Sequence, residues 1–455
     1  MKTAVILAAG IGSKIWPYSV IRPKVMIPLA NKPIIEYLII TLKEMGFENI
    51  IIAAGNLGEQ IENYFRLESS LQIIKTGSTS GTADTLSRIS EFIEDDDFLV
   101  LYGDTYIEKE DIAKLIRLYR EKGISVLVEP LKNEPSRDWI CCNLHENTVE
   151  NILGHPRDDA THRFCAFAFN KRFLEYIDVN SGIFTSVQVG MMPPEESYIE
   201  MSLQDYIEDG GVVYSAEAER KFFDIDKPWH ILMANYYVVD LRCGELTENH
   251  LEKGASIDGT ADLRGFVRLG ENSHIGKNVK IKGNIIVGKN TIIENGAIIN
   301  GNAVIGSDCY IGNYCYINNN SAIGNRCVIN HCAEFEGIIM ENVYLYHYME
   351  FYGIIGQSTD LGAATVCGTL RFDDGETSHR VKGRKEHPKY FSNATFLGDF
   401  SRTGVNTIIM PGCKIGVYSI VGPGVILTED VPDNTIVMAE QKTVKREWGP
   451  NRYGW

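Results

Sequence analysis

The apolar run Thr3–Leu7 empties into Ala8, Ala9, Gly10, Ile11 and Gly12, a loop without a bulky polar side chain. Backbone N–H groups in such a loop can approach a nucleotide and its phosphates directly, although the same composition also serves a tight strand-to-helix turn. Farther on, the apolar run Phe98–Tyr102 ends on Gly103 and Asp104, which puts a carboxylate at the end of a second strand. Lys14 and Lys24, the latter in Pro23-Lys24, are cationic candidates, though an isolated lysine is otherwise a solvated surface residue. The ten cysteines contain no CxxC pair, and the histidines show no HExxH spacing, which argues against a zinc site or a disulfide frame. The chain therefore reads as reduced and cytosolic.

These residues need a frame to hold them. Over residues 1 to 240 strands alternate with helices: a helix is expected over Ile34–Met45, a strand over Asn49–Ala53 and a helix over Leu57–Phe65. That alternation predicts an open parallel α/β sheet, whose ligands bind at the carboxyl ends of strands. From Ile257 through Leu263, Leu269 and Ile275 to Phe335, every sixth residue is aliphatic or aromatic. Neither a helix nor an ordinary strand holds that period, whereas a three-sided coil of short parallel strands does. The period returns at Leu397, Ile409, Ile415, Val421 and Leu427. Between them, residues 337 to 395 are expected to leave the coil as a functional excursion carrying RFDDGETSHRVKGRKEHPK. Cys309, Cys315 and Cys327 share a column with Ala297, Ala303, Ser321 and Ala333, which predicts buried small side chains.

The 455 residues allow two or three domains, and the net charge of −16 argues against nucleic-acid partners. No apolar run is long enough to span a membrane. The opening MKTAVILAAG imitates a secretory signal but runs into the glycine loop, so it is expected to be a buried first strand.

LAAGIGSKIWPYSVIRPKVMIPLANKPIIEY, residues 7 to 37, followed by GTA and GD, closely resembles the sugar-1-phosphate nucleotidyltransferases. The periodic half resembles the left-handed parallel β-helix of hexapeptide-repeat acyltransferases, from which its handedness is taken. Together they imply an α/β, Rossmann-like nucleotidyltransferase domain at 1–240, a linker at 241–255, a left-handed β-helix at 256–440 and a tail at 441–455. The resemblance implies that Leu7, Ala8, Ala9, Gly10, Gly12, Thr76, Gly81, Thr82 and Gly103 bind substrate. It gives Lys14 the place of a phosphate-gripping arginine, and Lys24 that of a lysine beside the reacting phosphates. Asp104 and Asp224 match metal-binding aspartates, which implies Mg²⁺. Asp226 replaces the family's glycine and is read either as a solvated loop residue or as a further metal contact.

Other positions depart from the family. Thr76 stands where a base-reading glutamine is usual. The sugar-side VEKP becomes Leu153-Gly154-His155-Pro156, which removes a carboxylate, and ANAGIY becomes His162-Arg163-Phe164-Cys165-Ala166-Phe167. In the periodic half His347 aligns with a general base of acetyl transfer, for which acetyl-CoA is the implied co-substrate; the other use of His347 is to cap a coil turn. The resulting expectation is an enzyme joining an NTP to a sugar 1-phosphate and acting as a homo-oligomer, trimeric through the coil, in the cytoplasm. A catalytically decayed binding or assembly subunit, like the gamma and epsilon subunits of the eukaryotic translation-initiation exchange factor, is the alternative. The two halves are expected to separate near Arg242, with transfer retained by the first.

Overall fold

All six residues of the strand Thr3–Ala8 are buried, because neighbours flank it on both sides and apolar layers cover both faces. Ala4, Ile6 and Ala8 enter one core, Val5 and Leu7 the other. The computed structural model describes residues 1–132, 135–156, 160–183 and 196–450, so the end of the expected tail, 451–455, lies outside the described residues. The sheet runs in the order Leu71–Lys75, Asn49–Ala54, Thr3–Ala8, Asp97–Tyr102, His162–Asn170, Ser125–Pro130, Tyr214–Glu217, Thr148–Gly154, Ile140–His145. The first four strands are parallel. His162–Asn170 enters antiparallel to both of its neighbours. The sheet is therefore mixed, where alternation alone suggested an all-parallel one. Its far edge is a hairpin, Ile140–His145 against Thr148–Gly154, and a hairpin needs no crossover helix.

The helix Pro228–Gly244 leads into the coil. There Ile257 pairs with Ile275, Leu263 with Ile281 and Leu269 with Val287, each partner three hexads farther on. The repeat aliphatics form one continuous interior. Cys309, Cys315 and Cys327 are buried in it with Ala297, Ala303 and Ala333, and their thiols meet the carbonyl oxygens of Gly324, Asn330 and Met340 at 3.0, 2.9 and 3.1 Å.

Most of the stretch expected to leave the coil stays in it. The strands Glu334–Ile339 and Glu350–Ile355 pair at sixteen residues instead of eighteen. The corner there is shortened by two stacked glycines, Gly337 and Gly353, at φ 124° and 138°. A Cβ on Gly337 would lie 2.0 Å from the carbonyl oxygen of Gly353, so only glycine fits. Only residues 368–394 depart, between the strands Val366–Cys367 and Thr395–Leu397. They carry a hairpin, His379–Val381 against Arg384–Glu386.

The halves are not separable units. On one side of the coil the outward positions Val304, Ala322, Ile338, Ile354 and Phe396 are apolar, at most 3 % exposed, and share a core with Ile34, Ile35, Trp229 and Val238 of the first half. Polar ties cross the same seam: Tyr18 Oη donates to the Ile354 carbonyl (2.9 Å), Arg22 to Asp399 (2.9 Å), and Asn31 to the Ile323 carbonyl (2.6 Å). Cutting near Arg242 would expose this column and orphan the buried Arg22–Asp399 pair.

Candidate active site

The loop Ala8–Gly12 leaves the carboxyl end of the central strand. Leu7, Ala8 and Ala9 are buried, Gly10 is exposed, and a side chain on Gly10 would meet nothing within 4 Å, which leaves the backbone open to a ligand. Gly12 adopts φ 70° with its Cα against the stem of Lys24, where a Cβ would come 3.1 Å from Lys24 Cβ. Gly103 is tied to the same end by its N–H to the Leu7 carbonyl at 2.8 Å. The loop thus packs directly on Lys24 and beside Asp104.

A two-strand ribbon brings the aspartates together. Thr105–Tyr106 pairs antiparallel with Phe223–Asp224, so Asp224 faces Thr105, and the Ile225 N–H donates to the Asp104 carbonyl at 3.0 Å. Lys24 Nζ lies 2.5 Å from the Asp104 carboxylate. Burial works against the Lys24 ammonium, but Asp104, Asp224 and Asp226 outweigh it and raise its pKa. Asp224 goes the other way: burial first, and Asp104 second, push its carboxyl up to about 7 against the pull of Lys24. The pair carries more negative charge than Lys24 alone can balance, and Asp224 lines an open cavity. Two such carboxylates fit a hard divalent cation that takes its remaining ligands from phosphate and water. Among the described residues no group of three or more metal-ligating side chains occurs.

Asp226 is not solvated, and it does not complete a group of three metal-ligating side chains with Asp104 and Asp224. Its carboxylate is 16 % exposed and meets Lys14 at 3.3 Å, Lys227 at 3.8 Å and Lys24 at 3.9 Å. Burial favours its neutral form, but Lys24, Lys14 and Lys227 together hold it well below the usual carboxylate range.

The remaining expected site residues fall in three places. Gly81 and Thr82 open the helix Thr82–Arg88, where Thr82 Oγ1 accepts from the Ile199 N–H at 3.0 Å. Thr76 spends its hydroxyl on the carbonyls of Ala54 and Gly77, both at 3.2 Å. His347 stands apart, on a coil corner, its ring 4.3 Å from that of His331 in the turn below and its Nδ1 enclosed without a hydrogen-bond partner. Lys14, Lys24, Asp104 and Asp224 are therefore gathered at one centre, and His347 is not.

Several residues around this centre were not foreseen. Lys227, 4 % exposed, pairs with Asp138 at 3.3 Å and with Glu386 of the coil hairpin at 2.9 Å. Two of the departures the sequence did single out also line up here: Arg163 pairs with Glu129 at 2.7 Å and lies 4.3 Å over the Trp139 ring, while His155 Nδ1 meets the Arg137 carbonyl at 3.1 Å. Glu200, buried in the first turn of the helix Ile199–Glu208, accepts from Tyr102 Oη at 2.5 Å and leaves Oε2 without a partner. Desolvation pushes its carboxyl up to about 7. A glutamate within the apolar run Tyr198-Ile199-Glu200-Met201 was a readable signal for it; nothing local marks Lys227 or Glu386.

The nucleotidyl transferase family matches residues 3–235, and the bacterial transferase hexapeptide (six repeats) family matches 266–301 and 302–337. The chain is 32 % identical over 452 residues to the "Bifunctional protein GlmU" of Methanococcus maripaludis (strain C7), covering 97 % of this chain and 98 % of that protein. It is 27 % identical over 434 residues to the "Bifunctional sugar-1-phosphate nucleotidylyltransferase/acetyltransferase" of Sulfurisphaera tokodaii, covering 94 % and 98 %. A solved structure of UDP-glucose pyrophosphorylase complexed with UDP-glucose aligns at 17 % identity and a TM-score of 0.46, over 53 % of this chain and all of that one.

Proposed function

The chain belongs to the nucleotidyl transferase family, and from that membership we propose that it transfers a nucleotidyl group from an NTP to a sugar 1-phosphate. A phosphate oxygen of the sugar attacks the α-phosphorus, the bond from that phosphorus to the bridging oxygen breaks, and pyrophosphate leaves. The observation that carries this reading is the convergence of the open loop Ala8–Gly12, Lys24, Asp104 and Asp224 at the ends of two parallel strands. Lys24 balances charge at the reacting phosphates and Lys14 that of the departing pair; positioning and neutralisation supply most of such catalysis. Asp104 and Asp224 would hold Mg²⁺, which neutralises charge building on the triphosphate. Pyrophosphate release across a matrix of NTPs and sugar 1-phosphates tests the reading; silence across the whole matrix would favour the decayed binding subunit.

The hexapeptide half is a left-handed β-helix, and to it we assign acetyl transfer from acetyl-CoA to an amino-sugar phosphate. The close pair His331 and His347, rings 4.3 Å apart and tilted by 41°, favours this second activity. His347 would take the amine proton, and acetylation that vanishes in His347→Ala checks the role. Exposed apolar side chains on the other coil sides, Ile292, Tyr344 and Ile420 on one and Ile408 and Ile426 on the next, suit association of copies into a trimer. All ten cysteines are free thiols, which fits a cytoplasmic enzyme. Among the described residues no helix is long and apolar enough to cross a membrane.

A further inference from the structure

The hairpin that leaves the coil does not hang in solvent. His379, 1 % exposed, sets its ring 5.1 Å from Trp229, in the first turn of the helix Pro228–Gly244, and its Nε2 meets the Ser392 carbonyl at 2.7 Å. Val381 is buried in the core shared by both halves. From that anchored root the hairpin reaches the catalytic centre on two sides. Arg380, Val381 and Lys382 face Ser13, Lys14 and Trp16 across a cavity of about 240 Å³. Glu386 and the residues after it face Asp224, Lys227 and His230 across another of about 400 Å³.

The charges between these walls form an unbroken sequence. Glu386, 9 % exposed, holds Lys227 Nζ at 2.9 Å, and Asp138 holds the same ammonium at 3.3 Å. Arg384 of the hairpin in turn meets Asp138 at 3.2 Å. Lys227 is 3.8 Å from Asp226, which is also approached by Lys14 at 3.3 Å and Lys24 at 3.9 Å. Three ammonium groups thus share one carboxylate in a poorly hydrated place, where unbalanced charge is costly. How tightly Asp226 holds Lys14 and Lys24 depends on how fully Lys227 is satisfied elsewhere. Glu386 supplies the shortest of the contacts that satisfy it.

We propose that the coil's hairpin is a positioning element for nucleotidyl transfer, in which Glu386 holds Lys227 at the 3.8 Å margin of contact with Asp226 and so leaves that carboxylate to aim Lys14 and Lys24 at the triphosphate. The role rests on the transfer reading above. It makes the first half's active site depend on the second half of the same chain, through a residue that acts by holding Lys227. Without Glu386, Lys227 swings toward Asp226 and displaces Lys14, the most exposed and least restrained of the three lysines.

The test compares the full chain with Glu386→Gln, Glu386→Asp and Lys385→Ala, an exposed neighbour on the same hairpin. In Glu386→Gln the KM for NTP rises about tenfold and kcat falls, while the KM for sugar 1-phosphate stays; a merely structural loss would lower kcat with the active fraction and leave KM alone. Glu386→Asp recovers most of the loss, to within about threefold of the parent, and Lys385→Ala behaves as the parent. NTP affinity measured without acceptor, by displacement of a fluorescent NTP analogue, weakens by the same factor in Glu386→Gln. Kinetic constants and NTP affinity within about twofold of the parent in Glu386→Gln overturn the proposal. If that variant does not fold, Glu386→Asn takes its place: NTP affinity within about twofold of the parent overturns the proposal, and about tenfold weaker NTP binding at an unchanged melting temperature supports it. A parent that binds NTP through Glu386 but releases no pyrophosphate sinks the transfer reading and keeps the positioning role; a parent that binds no NTP sinks both.

Discussion

In the coil, Ile275, Ile293, Ile311 and Ile329 lie directly over one another, each paired with the next copy of the same position. At the candidate active site Lys14 and Lys24, Asp104, Asp226 and Glu386 come from four separate segments of the chain and meet without repetition. The coil's contacts are near-identical and each turn touches only its neighbours, so its stability accumulates turn by turn. The centre's contacts share partners, so each charge's position depends on several others. Order by repetition is robust to single losses, whereas order by shared charge is not.

Removing the coil tests that contrast most severely. A chain ending at Gly244 loses Glu386 and uncovers the core face that meets Val304, Ile338, Ile354 and Phe396. Transfer is expected to fall by at least about a thousandfold, because the truncated half loses much of its buried apolar surface and does not hold its fold. A soluble truncated chain with parental kcat would restore the view that the halves are independent. Next in size is Asp104→Asn, which keeps the ribbon Thr105–Tyr106 and Phe223–Asp224 but halves the charge at the pair. Pyrophosphate release should drop about a hundredfold with little change in melting, since metal charge stabilisation is worth several kcal/mol. An intact rate would show that Asp224 alone suffices.

The same contrast decides what was legible in the sequence. The period of six announced the coil because every turn repeats the signal, and it faltered where a two-residue deletion at the Gly337 and Gly353 corner shifted the phase and where residues 368–394 leave the coil. The outward positions 304 and 322, eighteen apart, and then 338 and 354, each sixteen farther on, also marked the seam between the halves, readable as a column of apolar residues. At the centre the loop, Lys24, Asp104 and Asp224 were readable as motifs. What they lean on was not. Asp226 could be seen as an extra charge beside Lys227, but its other lysine partners, Lys14 and Lys24, arrive from the far end of the first half, and Glu386 lies 159 residues beyond Lys227 with no local pattern to mark it.

Glu200 offers a smaller test at a single buried charge. Its carboxyl rises from 4.5 to about 7 because the fold strips it of water. A raised carboxyl pKa means the folded state binds the proton more tightly than the unfolded chain, so stability is lost as pH rises from about 4.5 through 7. The full span corresponds to about 3 kcal/mol at most. Glu200→Gln removes that charge while keeping an oxygen for Tyr102 Oη. The variant should melt above the parent at pH 8, and the advantage should shrink toward pH 5. A pH-independent difference would mean that the Glu200 carboxyl titrates in the fold as it does in the unfolded chain, its buried charge compensated by a cation.

The smallest expected effect is a coupling, and it separates the two kinds of order most directly. The family pattern places arginine where this chain has Lys14 and glycine where it has Asp226, and the two departures touch each other at 3.3 Å. Lys14→Arg alone should not raise activity, because Asp226 accepts both arms of the guanidinium and draws it from the triphosphate. Asp226→Gly alone frees Lys14 but leaves three ammonium groups facing one another, which weakens the site. Together the changes restore a forked donor with no competing acceptor, and the double variant should exceed the sum of its singles by about 1 kcal/mol in log kcat/KM terms. In the coil, Ile275→Val and Ile329→Val, three turns apart, should add in melting within a few tenths of a kcal/mol. Additive kinetics at Lys14 and Asp226 would mean that the lysine and the aspartate arrived independently and that their ion pair has no part in how the site grips phosphate.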